Sequence, residues 1–261
     1  MAASGFFKKL RILFLLFVLI IVAGDYWLTK IRSTDWDLPL RLVVYPINGD
    51  RSNAAAAYIR EISEETFKPI EAYFIEESAD YELALKEPLE IALGPVIDEL
   101  PPSPPKDRNA LKVMWWSLKM RLWVFNVDTY KGPSPNIRMF VVYFDPEQTE
   151  RLRHSLGLEK GLIGVVNAFA ADKYADKNNI VIAHEFLHTV GATDKYLMET
   201  GEPVFPIGFV EPDKTPLYPQ DFAEIMAGVI PVGEQEWVMP DNLDQTIIGY
   251  ETAKEINWIG E

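Results

Sequence analysis

Two histidines stand four residues apart in a stretch that reads NNIVIAHEFLHTVGATDKY, Asn178 to Tyr196. On an α-helix, positions i and i+4 share a face, so His184 and His188 can aim both imidazoles at one ion. Glu185 follows the first histidine, where a carboxylate could take a proton from water. The spacing requires a helix from about Asn178 or Asn179 to Val190, and a fold that leaves one of its faces open. With only three histidines in the chain, a chance pairing has little background to arise from. The third, His154, sits in the charged stretch Glu150–His154 and reads as a surface residue.

A catalytic zinc usually has three protein ligands and one open position, so the histidines need a partner. Downstream the spacing is His184-Glu185-x-x-His188-x-x-Gly191-x-x-Asp194. This resembles the HExxHxxGxxH pattern of the metzincin zinc peptidases. It is similar to the snapalysin-like members, which carry aspartate at the last position. A carboxylate oxygen is a good zinc ligand. The segment Glu224-Ile225-Met226-Ala227-Gly228 looks like the methionine turn of that family. Together the matching positions span roughly residues 160–230.

The resemblance implies Zn2+ held by His184, His188 and Asp194, with Glu185 as general base and Gly191 and Met226 in support. It also implies a zincin-like α/β fold: a mixed twisted sheet, an active-site helix and a C-terminal helical subdomain. An edge strand of that sheet would bind an extended peptide by strand addition. Taken singly, the residues have plainer readings. Gly191 can be a helix C-cap, which is compatible with turning the chain. Asp194 can be a turn residue, with Glu224 or Glu234 as the third ligand instead. Met226 can be core packing, and Tyr196 can be structural or can support an oxyanion.

The N-terminus is read apart from this domain. Lys8, Lys9 and Arg11 precede an apolar run from Ile12 to Ala23, and Tyr26-Trp27-Leu28 follows. A basic flank, an apolar centre and an aromatic boundary make a signal anchor or a signal peptide over residues 1–32. Those residues hold five Lys/Arg and one acid, whereas the remainder holds 20 basic and 38 acidic residues, a net of −18. That asymmetry places the basic end in the cytoplasm and the body, residues 33–261, on the extracytoplasmic side, or secreted if the signal is cleaved. The overall charge of −14 excludes a basic nucleic-acid footprint. With no cysteine, the chain has no disulfide, thiolate ligand or thiol nucleophile. Its length and 48% hydrophobic content fit one domain of about 200–230 residues.

Along the body, Arg41–Ile47 reads as a first strand and 33–39 as a tether. A helix capped by Ser52 or Asn53 runs through Phe67, with Pro69 after its end. The pattern turns strand-like from Tyr81 and alternates over Leu89–Leu93 before the loop Pro101–Pro105. Leu111–Phe125 is rich in tryptophan and follows helical spacing, with Lys112, Lys119 and Arg121 interleaved. It reads as a core helix with a solvated face or as a segment docked on a membrane surface. Ile137–Phe144 is the strongest strand, Pro146–Leu156 a short helix, and Leu162–Phe169 another strand. The proline-bearing stretch Glu199–Gln220 reads as a packed loop, and a last amphipathic helix covers about Asn242–Trp258. The expected activity is a membrane-anchored or exported zinc metalloendopeptidase acting on a peptide or protein. A non-catalytic zinc-stabilised binding module and a zinc hydrolase of another substrate are the alternatives.

Overall fold

The computed structural model describes residues 34–105, 109–159 and 161–259, with isolated positions 13 and 16. The expected anchor over residues 1–32 lies outside them. Among the described residues, no helix is long and apolar enough to cross a membrane.

Four parallel strands and one antiparallel strand form the central sheet, in the order β2-β1-β3-β5-β4. They are β1 (Leu40–Asn48), β2 (Leu89–Leu93), β3 (Ile137–Phe144), β4 (Leu156–Leu158) and β5 (Ile163–Phe169). Strands β1 and β3 are nearly continuous apolar runs because both their faces are buried. Leu40, Leu42 and Val44 point to one face with Ile137, Met139 and Val141; Val43, Tyr45 and Ile47 point to the other with Phe140 and Val142.

The first face carries α1 (Asn53–Glu61), α2 (Lys68–Asp80) and α4 (Ala175–Thr189). The second is covered by α3 (Ala110–Val127), whose Trp116, Met120, Trp123 and Val124 are buried. The Trp123 ring meets Phe140 edge-on at 4.7 Å.

Several sequence readings change here. Ser52 caps α1 through Ala55 N at 3.0 Å, but the helix stops at Glu61. Pro69 does not follow a helix end; it opens α2, where its missing N–H costs nothing. Tyr81 lies in a turn rather than a strand. Pro146–Leu156 is not helical. The Asp145 carboxylate takes the Glu147 N–H at 2.9 Å and the Gln148 amide at 2.8 Å, which closes a local turn, and Leu156 enters β4. The tether before β1 is docked: Trp36 Nε1 donates to Ile256 O at 2.7 Å and its ring lies against Trp258.

The C-terminal part is not a helical subdomain. Beyond α4 it holds a parallel pair, β6 (Ala223–Glu224) with β9 (Thr246–Ile247), and an antiparallel pair, β7 (Ile230–Gly233) with β8 (Glu236–Val238). Helix α5 (Tyr250–Glu255) has six residues, because Thr246 and Ile247 extend to pair with β6. The 199–220 loop is packed as expected: the buried Gln220 amide accepts from Glu211 N at 2.8 Å and donates to Leu217 O at 2.7 Å.

Candidate metal centre

Helix α4 begins earlier than its sequence signals suggest. It starts at Ala175, so Asn178 and Asn179 lie inside it rather than at its start. Asn178 grips both backbone groups of Phe169 at the end of β5, and Asn179 Nδ2 donates to Thr66 O at 3.0 Å. These amides fasten the helix to the sheet and to the segment before α2. Its C-terminus is closed by Gly191 at φ +112, a conformation that only glycine adopts without strain. Ala192 N donates to Leu187 O at 3.0 Å and Gly191 N to His188 O at 3.3 Å, the two bonds of a Schellman cap. The glycine is therefore both cap and turn.

That turn carries Asp194 back to the histidines. His188 Nε2 lies 3.1 Å and His184 Nε2 3.3 Å from Asp194 Oδ1. His184, His188 and Asp194 form a group that could hold a metal ion, with candidate ligand atoms within 4.8 Å of one another. The donors of a tetrahedral ion with bonds of ~2.1 Å stand ~3.4 Å apart, close to these separations.

The other ring nitrogens fix the chemistry. His184 Nδ1 lies 2.9 Å from Ile225 O, and His188 Nδ1 2.8 Å from Ala192 O. A carbonyl oxygen only accepts, so each Nδ1 carries the hydrogen. In neutral rings both Nε2 atoms are then bare acceptors, and they face a carboxylate oxygen that also accepts. Three acceptors at hydrogen-bond distance need a cation or protons between them. Without metal the protons serve. Burial works against charge on His188, but bonds to Asp194 and Ala192 O outweigh it and raise its pKa. Burial works against the Asp194 carboxylate too, and the two histidines overcome it, holding its pKa far below the ordinary value.

Glu185 stands beside this cluster and is buried, with Oε2 lacking a hydrogen-bond partner. Burial pushes its pKa up, while the two histidines and the Gly157 N–H pull it down. Gly157 lies in edge strand β4, hard against α4: a Cβ there would come within 2.5 Å of Glu185 O and His188 Cβ. The Tyr196 phenol is raised to about 12 by burial and by the charges of Asp194 and Glu185.

The segment around Met226 supports the helix from below. Ile225 O serves His184, Met226 O accepts Lys195 N at 2.9 Å, and the Met226 side chain is fully buried. Glu224 is not a ligand. Its buried carboxylate takes Thr252 Oγ1 at 2.5 Å, Ala227 N at 2.9 Å and Gly249 N at 3.2 Å, which ties the turn to α5. Glu234 is not in the metal group, and neither is the exposed His154.

Two contributions were missed in the sequence. Lys195 is buried, and its Nζ bonds Glu255 at 2.6 Å, Thr193 Oγ1 at 3.0 Å and Thr193 O at 3.1 Å. Glu255 also takes Thr193 N at 2.8 Å and Thr193 Oγ1 at 2.6 Å, so both neighbours of Asp194 are clamped to α5. A lysine following a candidate ligand was the one available signal. Gly157 gave none.

No protein-family model matches the chain, and no curated protein matches it.

Proposed function

We propose that the chain is a zinc-dependent metalloendopeptidase with a metzincin-like site, and that it works from a membrane anchor on the extracytoplasmic side. The observation that carries this reading is the convergence of three acceptor atoms, His184 Nε2, His188 Nε2 and Asp194 Oδ1, beside a buried carboxylate oxygen with no partner. Two imidazoles and one carboxylate leave a fourth position open, the donor set of catalytic rather than structural zinc. Bound there, zinc would supply Lewis acidity and lower the pKa of water.

The remaining work falls to the chain. Glu185 accepts a proton from the attacking water and later gives it to the leaving amine. Burial favours that proton on Glu185, so the carboxyl can both receive and return it. The Ile225 and Ala192 carbonyls stop the imidazoles from rotating away. Edge strand β4, against Glu185 through Gly157, offers backbone groups to an extended peptide. Tyr196 stays protonated at physiological pH and can donate to a developing oxyanion.

The test is zinc content and cleavage of an unfolded protein substrate in Glu185→Ala and Asp194→Ala. The first is expected to keep zinc and lose about 10²–10⁴-fold in rate, the contribution of a general base. The second is expected to lose zinc. Full activity in Glu185→Ala refutes the proposal.

A further inference from the structure

The inner face of α3 belongs to the core, and its outer face has a different character. Leu111, Met114, Trp115, Leu118, Leu122 and Phe125 form one stripe opposite the buried residues, between 56% and 81% exposed. At 1.5 Å per residue the stripe is ~20 Å long. By helical position, Lys112 and Lys119 border it on one side and Arg121 on the other, and α3 contains no acidic residue. Lys119 Nζ lies 6.0 Å from the Trp115 ring centroid, at the margin of the stripe. A solvated helix face would show the reverse pattern, polar at the centre.

We infer that α3 lies in the surface of an anionic phospholipid bilayer, with its apolar stripe among the upper acyl chains and its three cations at the headgroups. Charge selects this occupant. The body from residue 33 onward carries a net −18, so an anionic surface accepts it best at a helix whose own sequence holds three cations and no acid. A second copy would oppose the same cation rows to each other on two strongly acidic bodies. Chain length supports the bilayer as well. Thr34, whose carbonyl takes the Asn257 amide at 2.7 Å, is six residues from Leu28, the last of the boundary residues that follow the apolar N-terminal run. Six extended residues reach only ~20 Å, so, on the proposed reading that residues 1–32 anchor the chain, the body stays beside the bilayer. Because α3 and α4 cover opposite faces of the sheet, this contact turns the metal centre away from the lipid.

The absence of cysteine makes the test direct. The full chain, carrying Leu118→Cys, Leu122→Cys or, as a control on the other sheet face, Glu76→Cys, is nitroxide-labelled and reconstituted into vesicles of equal parts phosphatidylcholine and phosphatidylglycerol. Collision with oxygen and with a water-soluble nickel chelate reports depth, and needs neither zinc nor peptidase activity. Labels at 118 and 122 are expected to be immersed, with 76 in water. The combined Lys112→Glu, Lys119→Glu and Arg121→Glu variant is expected to cut the ratio of docked to undocked protein at least a hundredfold, since loss of each cation alone is worth roughly fivefold. All these positions are exposed, so folding is not at stake. Aqueous labels at 118 and 122 overturn the inference, as does immersion of 76 or immersion that survives charge reversal. Spin–spin broadening between copies overturns it in favour of self-association.

Discussion

Replacing Glu255 with alanine tests whether α5 positions the metal centre or only stabilises the fold. Lys195 Nζ has three partners, and one of them, Glu255, carries the opposing charge at 2.6 Å. Removing the partner of a buried ion costs ~3–5 kcal/mol. The Glu255 side chain is 29% exposed, so water can reach the stranded ammonium, and ~2–3 kcal/mol is the expected loss of stability. The same change frees Thr193 N and Oγ1, next to Asp194. Loss of such outer support typically weakens metal binding ~10–100-fold. Thermal unfolding with and without zinc separates the two effects, because bound metal adds RT ln(1 + [Zn]/Kd) and each tenfold loss of affinity removes ~1.4 kcal/mol of that increment. Glu255→Ala should therefore lower the apo stability and also shrink the zinc increment, with direct titration giving the same fold-change. The double variant Lys195→Met, Glu255→Leu sharpens the test. An apolar pair can restore the stability lost with a buried ion pair, yet Thr193 still lacks its acceptor. Its stability should recover while its zinc affinity stays low. A full zinc increment in Glu255→Ala would show that the clamp does not act on Asp194.

In the apo protein, the raised pKa of His188 contributes stability that is present below 6.5, the ordinary histidine value, and lost as pH rises through the folded value. Saturating zinc should displace that proton and abolish this part of the pH dependence of the melting temperature, and zinc affinity should fall as the pH is lowered through the same range. Glu77, raised by burial from 4.5 to about 7, holds its proton longer folded than unfolded, so stability falls as pH rises between those values. Glu77→Gln should gain up to ~3 kcal/mol above pH 7 and nothing below 4.5 in denaturant titrations, since a glutamine oxygen can still accept the Ile248 N–H. Gly157→Ala brings a methyl against α4; it should cost ~1–3 kcal/mol in unfolding assays and lower both zinc content and activity, because the displaced neighbours are Glu185 and His188.

Strands β1, β3 and β5 were legible because burial leaves nearly continuous apolar runs, and Ile137–Phe144 was read with its observed bounds, whereas β4 and the short strands β6 to β9 were not read. The helices on the first face were harder. One helical period runs through Ala54, Tyr58, Ile59, Ile62 and Phe67, and it hides the break after Glu61. Pro69 was read as a stop, although proline is also favoured in a first turn, and α2 went unseen behind it. In α3 the spacing was clear but the facing was not. Apolar residues lie both toward Phe140 and away from it, so periodicity alone could not say which set met the sheet. The closing segment failed for another reason: β6 supplies backbone partners that draw Thr246 and Ile247 out of a helical pattern.

The metal group was legible for a physical reason that also explains what was missed. His184, His188 and Asp194 lie within eleven residues, and a helix with a Schellman turn at Gly191 converts that spacing into convergence. Convergence alone leaves the imidazoles free to rotate, however. They are held by two carbonyls, and a carbonyl leaves no mark on residue identity: any residue at 192 or 225 supplies one. The Ala192 carbonyl comes with the turn. The Ile225 carbonyl depends on Glu224, a buried carboxylate that bonds Thr252, Gly249 and Ala227, so the orientation of His184 is tied to a turn docked on α5. Helix α5 also holds Thr193 and Lys195 through Glu255. A six-residue helix near the end of the chain thus reaches the metal group twice, once behind His184 and once on either side of Asp194. Its influence on zinc affinity should therefore exceed that of any surface residue nearer in sequence to the histidines.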